Sequence, residues 1–383
     1  MTPDMDDFEQ YTRATEPARE QRAQNWRTAI GLQDVDGLKT SDYLKQTAQR
    51  NIDGEITIDE ARQMVRTYYE TKTSREEDDD NQNEADKVAV NIAQILGEPT
   101  FTYSVAGITA LHRRIFAGVL KHAGRIRDYE ISKKEWVLRG ASVDYGYSFE
   151  LRQALEYDLQ QEREFSYVGL PMSQVIEHFA RFISRLWQIH AFGEGNTRTT
   201  AVFAIKYLRH MGFDVNNDLF AEKSWYFRNA LVRANYQNYQ KGIDYEPLFL
   251  ILFLRNLLLG EHNELHNRYM LINPPQEWQQ KVDEMKRQLA DNSTSTRQVP
   301  DKYPTSSEQV KQLIAVISDR PHSIKEMLAL LGLKNRENFM EHYLQPAISA
   351  GYVRMLYPES PRHPRQKYLL TVQGLAFLKA LRQ

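Results

Sequence analysis

Apolar residues recur at three- and four-residue spacing through Val175, Ile176, Phe179, Phe182, Ile183 and Leu186, the period of a helix with one buried face. That helix runs toward His190 and delivers it at its C-terminal end. A second helical pattern, carried by Val202, Phe203, Ile205 and Leu208, spans Thr197 to Met211 and meets Gly212, a residue suited to the left-handed position after a helix. Leu248 to Leu259 is the most apolar stretch; Arg255 and Asn256 interrupt it, and it predicts a core helix. Toward the C-terminus, Val310 to Ile317 predicts one helix. Ser323 with Glu326 forms a capping-box pattern opening a second through Leu331, and Asn335 to Ala350 predicts a third, ended by Gly351. Two strands, Tyr352 to Leu356 and Lys367 to Leu370, then flank a Pro- and Arg-rich loop, with a last helix after Gly374. The fold class is mainly α.

Breakers and charge runs divide the chain. The acidic, unpatterned run from 74 to 86 reads as a solvated linker, and the Ser-, Thr- and Pro-bearing stretch from Asp291 to Ser307 as a second separator. The expected domains are therefore residues 1–73, 87–272 and 305–383. No internal repeat is visible. Of the 383 residues, 41% are hydrophobic and 26% charged, a globular composition with ample core. There is no Cys, which excludes disulfides and thiolate chemistry. No charged-then-apolar leader and no apolar run of about 20 residues is visible, so the expectation is a cytoplasmic protein without a membrane partner. A net charge of −2 argues against global nucleic-acid affinity but not against a local patch. Whether the chain acts alone or as a homodimer is open.

The candidate chemistry lies between the first two predicted helices, in His190-Ala-Phe-Gly-Glu-Gly-Asn-Thr-Arg-Thr-Thr200. Gly193, Glu194, Gly195 and Asn196 form a loop that opens onto a helix N-terminus, where free N–H groups and the helix dipole favour an anion such as phosphate. Glu194 can hold a hard cation, Arg198 can fork onto a phosphate, and His190 can take a proton from a hydroxyl. Each part alone has a plainer explanation: a helix-end His packs, a Gly-Asn pair turns, an Arg in a first turn is solvated. Phe192 reads as the loop's apolar anchor. The joint occurrence favours a phosphate-handling site.

The motif resembles the Fic family signature His-x-Phe-x-Glu/Asp-Gly-Asn-Gly-Arg-x-x-Arg. Leu111 to Phe116 with Ala123 to Arg127 resembles the first Fic helices and the turn after them. Residues 128–148, with Trp136, Val137 and Leu138, resemble the β-hairpin flap that docks a target as an added strand. Phe227 to Asn235 resembles the helix closing over the nucleobase. The resemblance covers about residues 80–260 and implies an all-helical core with a flap. It also implies transfer of AMP from ATP, with Mg2+, to a Ser, Thr or Tyr hydroxyl of a protein, the chain itself included. By resemblance His190 is the base, Glu194 the magnesium ligand, Asn196 an α-phosphate partner and Arg198 a β-phosphate partner. N–H groups from Gly195 onward would stabilise developing charge. Phe227 and Asn235 would face the base.

Two positions depart from the signature: Thr197 replaces its second Gly and Ala201 its last Arg. Thr suits a helix start. Loss of the Arg removes the family's γ-phosphate contact, worth about 1.5 to 3 kcal/mol, and leaves the donor nucleotide and efficiency open. Residues 30–70 resemble the antitoxin module of some bacterial Fic toxins, whose Ser/Thr-x-x-x-Glu-Gly helix salt-bridges that same Arg. Here the register is Leu32-Gln33-Asp34-Val35-Asp36-Gly37. With Leu32 for Ser/Thr, Asp36 for Glu and Ala201 for the Arg, the resemblance implies a module kept for packing, with glutamate-type inhibition lost. An ordinary helical extension is the alternative.

The tail's three helices and β-wing outline a winged helix. Ser307 to Gln383 carries eleven Lys and Arg against six Asp and Glu, a balance of +5. Lys334, Arg336, Arg362, Arg365 and Lys367 could meet DNA phosphates, whereas Glu337 and Glu341 would repel them; a protein-interaction role is the alternative. Two functions therefore stand side by side. One is a protein adenylyltransferase. The other is a DNA- or protein-binding regulator whose degenerate site only senses nucleotide or uses a donor other than ATP.

Overall fold

A computed structural model describes residues 17–71, 79–167, 170–213, 215, 218–294, 308–318, 320–333, 335–356 and 366–381. Its regular structure is mainly helical with two short antiparallel strand pairs. The described chain forms two compact units, one from residues up to 163 with 180–206 and 216–278, the other from 164–179, 207–215 and 279–383.

The first unit opens with α1 (Arg19–Gly31), a 3-10 turn (Leu32–Asp36), α2 (Asp42–Asp53) and α3 (Ile58–Thr71), followed by α4 (Asp79–Gly97) and α5 (Val105–Ile115). The N-terminal helices α1 and α3 both pack on α4. The buried Trp26 of α1 donates its Nε1–H to Asn51 Oδ1 of α2 at 2.9 Å. The run 74–86 is not a linker throughout, since α4 already begins at Asp79. Asp86 is fully buried, accepting hydrogen bonds from Ser41 N at 2.9 Å and Tyr69 OH at 2.8 Å. An apolar period running from Ala85 through Val88, Ala89 and Ile92, all buried, continues into the acidic run and turns it into a helix. Residues 72–78 lie outside the described chain.

The hairpin pairs β1 (Ser132–Lys134) with β2 (Ser142–Asp144) in the register Lys133 to Val143. The remaining helices are α6 (Leu151–Glu164), α7 (Met172–Ile189), α8 (Asn196–His210), α9 (Leu219–Glu222), α10 (Ser224–Asn235), α11 (Leu248–Leu259) and α12 (Gln276–Thr294). The helices predicted around the His190 loop and at Leu248 are all present. The expected separator from Asp291 instead continues α12 to Thr294, and residues 295–307 are not described.

In the second unit, α13 (Glu308–Ile317) precedes α14 (Ile324–Leu330), which opens on the Ser323–Glu326 capping box read from the sequence. The third predicted helix is present but not uniform. It runs α15 (Arg336–Phe339), a π turn (Met340–Leu344), then α16 (Gln345–Ser349) with Pro346 in its first turn. Proline lacks the N–H of the regular ladder and its ring crowds the carbonyl four residues back, so a widened turn ahead of it relieves both. β3 (Val353–Met355) pairs with β4 (Tyr368–Leu370). The last helix, α17 (Val372–Leu381), begins before Gly374 instead of after it. Thr371 Oγ1 accepts the Gly374 N–H at 3.0 Å, and a Cβ at 374 would lie 2.1 Å from Tyr352 O. Val310, Leu313, Ile314, Met327, Phe339 and Tyr352 fill this unit's core.

Candidate active site

The His190 loop joins the end of α7 to the start of α8, within residues 180–206 of the first unit. His190 takes φ +51, an uncommon backbone for a side-chain-bearing residue. Arg127 supports it: this buried guanidinium donates to His190 O at 2.8 Å and also to the carbonyls of Tyr129 and Gly146. The His190 ring stacks on Tyr145 with centroids 3.7 Å apart. Its Nδ1 lies 3.3 Å from Trp187 O, so Nδ1 carries the proton and Nε2 the lone pair. Nε2 is buried without a hydrogen-bond partner. Burial first, then the charges of Lys133, Arg127 and Arg228, hold the imidazole well below its ordinary range, so it is neutral and competent to accept a proton.

Each loop residue is held in its own way. Gly195 has φ +70, and a Cβ there would sit 2.1 Å from the Phe116 ring; both facts require glycine. A Cβ on Gly193 would lie 2.4 Å from Tyr129 OH. Asn196 bridges the loop, accepting from Phe192 N at 3.0 Å and donating to Phe192 O at 2.7 Å; its first task is to shape the loop. Thr197 Oγ1 accepts the Trp187 Nε1–H at 2.9 Å, which explains a hydroxyl at the position where the signature has Gly. Thr199 N donates to Gly195 O at 3.0 Å, so the earlier first-turn N–H groups of α8 have no intrahelical acceptor, the general condition under which a helix start can take an anion. Glu194 is exposed, and its carbonyl accepts from His112 Nε2 at 3.0 Å.

Arg198 is 3% exposed and already engaged. Its Nη1 donates to Gln33 Oε1 at 3.0 Å and its Nη2 to Glu84 Oε1 at 2.7 Å. Its Nε lies 2.8 Å from Asp36 Oδ2, an ion pair in which the N–H is not directed at the oxygen. The carboxylate expected to have lost its partner has a different one, Arg198 in place of the missing cation at Ala201. Ala201 is itself fully buried. Leu32 is buried beside this turn, and Gly37 ends it at φ +71. Asp36 also pairs with Arg228 Nη1 at 3.2 Å, and Arg228 Nη2 donates to Glu135 Oε1 at 3.0 Å. Glu135 in turn lies 3.4 Å from Tyr145 OH.

Three expected site residues are placed otherwise. Phe227 is fully buried between Phe220 and Phe253, at centroid distances of 5.0 and 5.2 Å; it is a core residue and cannot stack on a base. Val137 and Leu138 are buried in a 3-10 turn, Trp136–Leu138, at the hairpin's tip. That tip is tied down by Ile272 N donating to Val137 O at 2.9 Å; of the three expected flap residues Trp136 alone is exposed, at 48%. Asn235 ends α10 and donates to Ser184 O and Leu231 O, both at 2.9 Å. Sequence reasoning gave no role to Gln33, Glu84, Glu135, Tyr145 or Arg228. Their local patterns are those of ordinary helix and hairpin residues, and only the fold brings them together.

Among the described residues no set of three His, Asp or Glu is placed to hold a metal ion. Mg2+ commonly binds through one or two carboxylates plus substrate phosphates, and an exposed Glu194 on the loop leading into α8 fits that mode. In the second unit Arg336 is exposed and Lys367 half-buried, while Lys334, Arg362 and Arg365 lie outside the described residues. No described helix is long and apolar enough to cross a membrane.

The site thus combines a buried histidine, a glycine loop and a helix N-terminus in a mainly helical fold with a hairpin. Residues 102–208 match the Fic/DOC family, and residues 308–371 match the C-terminal domain of the Fic-like proteins described as filamentation induced by cAMP. The chain therefore carries a Fic/DOC domain followed by a Fic-like C-terminal domain. A crystal structure of a Fic family protein from Desulfovibrio desulfuricans G20, at 2.70 Å resolution, is similar at 16% identity and a TM-score of 0.37. It covers 91% of this chain and 87% of that one. No curated protein matches the chain.

Proposed function

We propose that the chain is a protein nucleotidyltransferase that moves AMP from ATP to a Ser, Thr or Tyr hydroxyl of a protein. The observation that carries this reading is the His190 imidazole: neutral, with its Nδ1–H directed at a carbonyl and its Nε2 buried without a hydrogen-bond partner, on the loop that leads into α8. His190 Nε2 takes the hydroxyl proton as the oxygen attacks the α-phosphorus and pyrophosphate leaves. Charge on the phosphoryl oxygens is met by the first-turn N–H groups of α8, donors that need no reorganisation. Arg198 meets the adjoining phosphate. Mg2+ at Glu194 would neutralise phosphate oxygens. Nucleotide negative charge near His190 raises its affinity for the proton and offsets the depression caused by burial.

In the closed arrangement Asp36 and Glu84 occupy Arg198, so the first step of turnover is the release of Arg198 from Asp36. Incubating the full-length chain with labelled ATP, GTP, CTP and UTP, with and without lysate proteins, tests the reading. Label on the chain or on another protein that disappears in His190→Ala is expected. Label that persists in His190→Ala, or none from any nucleotide even with Asp36→Ala, would overturn it.

A further inference from the structure

We propose that Arg228 is the second phosphate-binding cation of this site, serving where Ala201 leaves α8 without one, and that its ligand is the terminal phosphate of a nucleoside di- or triphosphate. This rests on the nucleotide-transfer reading above. Asp36 is clasped by two guanidiniums from different helices. Arg198 Nε of α8 lies 2.8 Å from its Oδ2, and Arg228 Nη1 of α10 lies 3.2 Å from its Oδ1. Two arginines converging on separate oxygens of one anion form the arrangement by which guanidiniums hold phosphate. The carboxylate stands in the ligand's place.

Arg228 is prepared for that ligand. Its side chain is 15% exposed and lies over the Trp225 ring at 5.6 Å. Glu135, 2% exposed, holds its Nη2. The Nε is buried with no hydrogen-bond partner, a donor left unspent where such groups are normally satisfied. Through Glu135 and Tyr145 the residue is joined to the ring stacked on His190, and its charge is among those felt by His190. Ala201, by contrast, is fully buried. Of the carboxylates around the two guanidiniums, Asp36 alone is paired with both; Glu84 and Gln33 hold Arg198, and Glu135 holds Arg228. Exchange of Asp36 for a phosphate therefore keeps every other contact.

Calorimetric binding of ATP, ADP and adenosine, with Mg2+, to the full-length chain tests the assignment in an Asp36→Ala background, which removes the competing anion. Adding Arg228→Ala is expected to weaken ATP and ADP by roughly 10- to 150-fold, the range for a charge-assisted contact, while adenosine affinity stays unchanged. Arg198→Ala in the same background is the control for the site as a whole. If ATP binding falls with Arg198→Ala but not with Arg228→Ala, the assignment of Arg228 is overturned and the transferase reading stands. If Arg228→Ala weakens adenosine as much as ATP, its role is structural and the assignment is likewise overturned. If no variant binds any nucleotide, both readings fall. Should Arg228→Ala not fold, Arg228→Gln is compared with Arg228→Lys: loss of ATP with Gln and retention with Lys supports the assignment, and equal affinity overturns it.

Discussion

Acid is expected to weaken the first unit through His112, a residue that holds the Glu194 end of the loop. The His112 side chain is fully buried and stacks on Phe192 with centroids 3.8 Å apart. Its Nδ1 accepts the Gly124 N–H at 2.8 Å, and its Nε2 faces Glu194 O at 3.0 Å. Only the neutral Nε2–H form satisfies both contacts. Burial holds its pKa at about 4, against an ordinary 6.5. Below pH 6.5 the unfolded chain therefore binds a proton that the fold refuses until about pH 4. Stability is lost as pH falls through that window and is unaffected above it. At about 1.4 kcal/mol per pH unit, the full window costs roughly 3 kcal/mol. All five Trp lie at 26, 136, 187, 225 and 278, within the first unit, so Trp fluorescence during urea unfolding reports that unit. Between pH 7 and 4.5 the parent chain should lose about 2 to 3 kcal/mol more than His112→Asn. Comparing the two cancels His190, Asp86 and Asp158, whose affinities are also displaced. Parallel losses in the two proteins would refute the assigned tautomer and its depressed pKa.

Three further outcomes follow from geometry. Gly195→Ala adds left-handed strain and a clash with Phe116, and should lower the stability of the first unit by roughly 2 to 5 kcal/mol in urea unfolding; an unchanged midpoint would show that the loop is looser than described. Thr197→Val keeps shape but removes the acceptor of the Trp187 indole N–H, at a cost of about 1 to 3 kcal/mol; a Trp emission spectrum and unfolding curve identical to the parent would contradict that bond. Gly374→Ala drives a Cβ into the Tyr352 carbonyl and should lower hydrogen-exchange protection of the strand pair β3–β4 by about 1 to 3 kcal/mol. Undiminished protection there would disprove the close approach.

The local parts of the site were legible in the residues. The 3.6-residue period around Val175–Leu186 and Val202–Leu208, the glycines after His190 and the Ser323–Glu326 box depend on neighbours within a few positions, and the folded chain contains each. Asp36, at the carboxylate position of the register read over Leu32 to Gly37, pairs with Arg198 and Arg228. The roles carried over from the resemblance were less secure: Phe227 is core, and Val137 with Leu138 anchors the hairpin, because a motif marks a position on an element and not the face that packing buries.

By itself the sequence determined a mainly helical protein with a histidine, a carboxylate and a helix start on one loop, since those follow from short-range spacing and backbone sterics. Only tertiary structure decided that Asp36 meets Arg198 and Arg228, that acidic residues at 84 and 86 belong to a helix, and that His190 is neutral with its Nε2 unpartnered. Those facts depend on which charges share a desolvated space. Residues 36, 84, 135, 198 and 228 are far apart along the chain, and their energies arise from the packing that removes water between them.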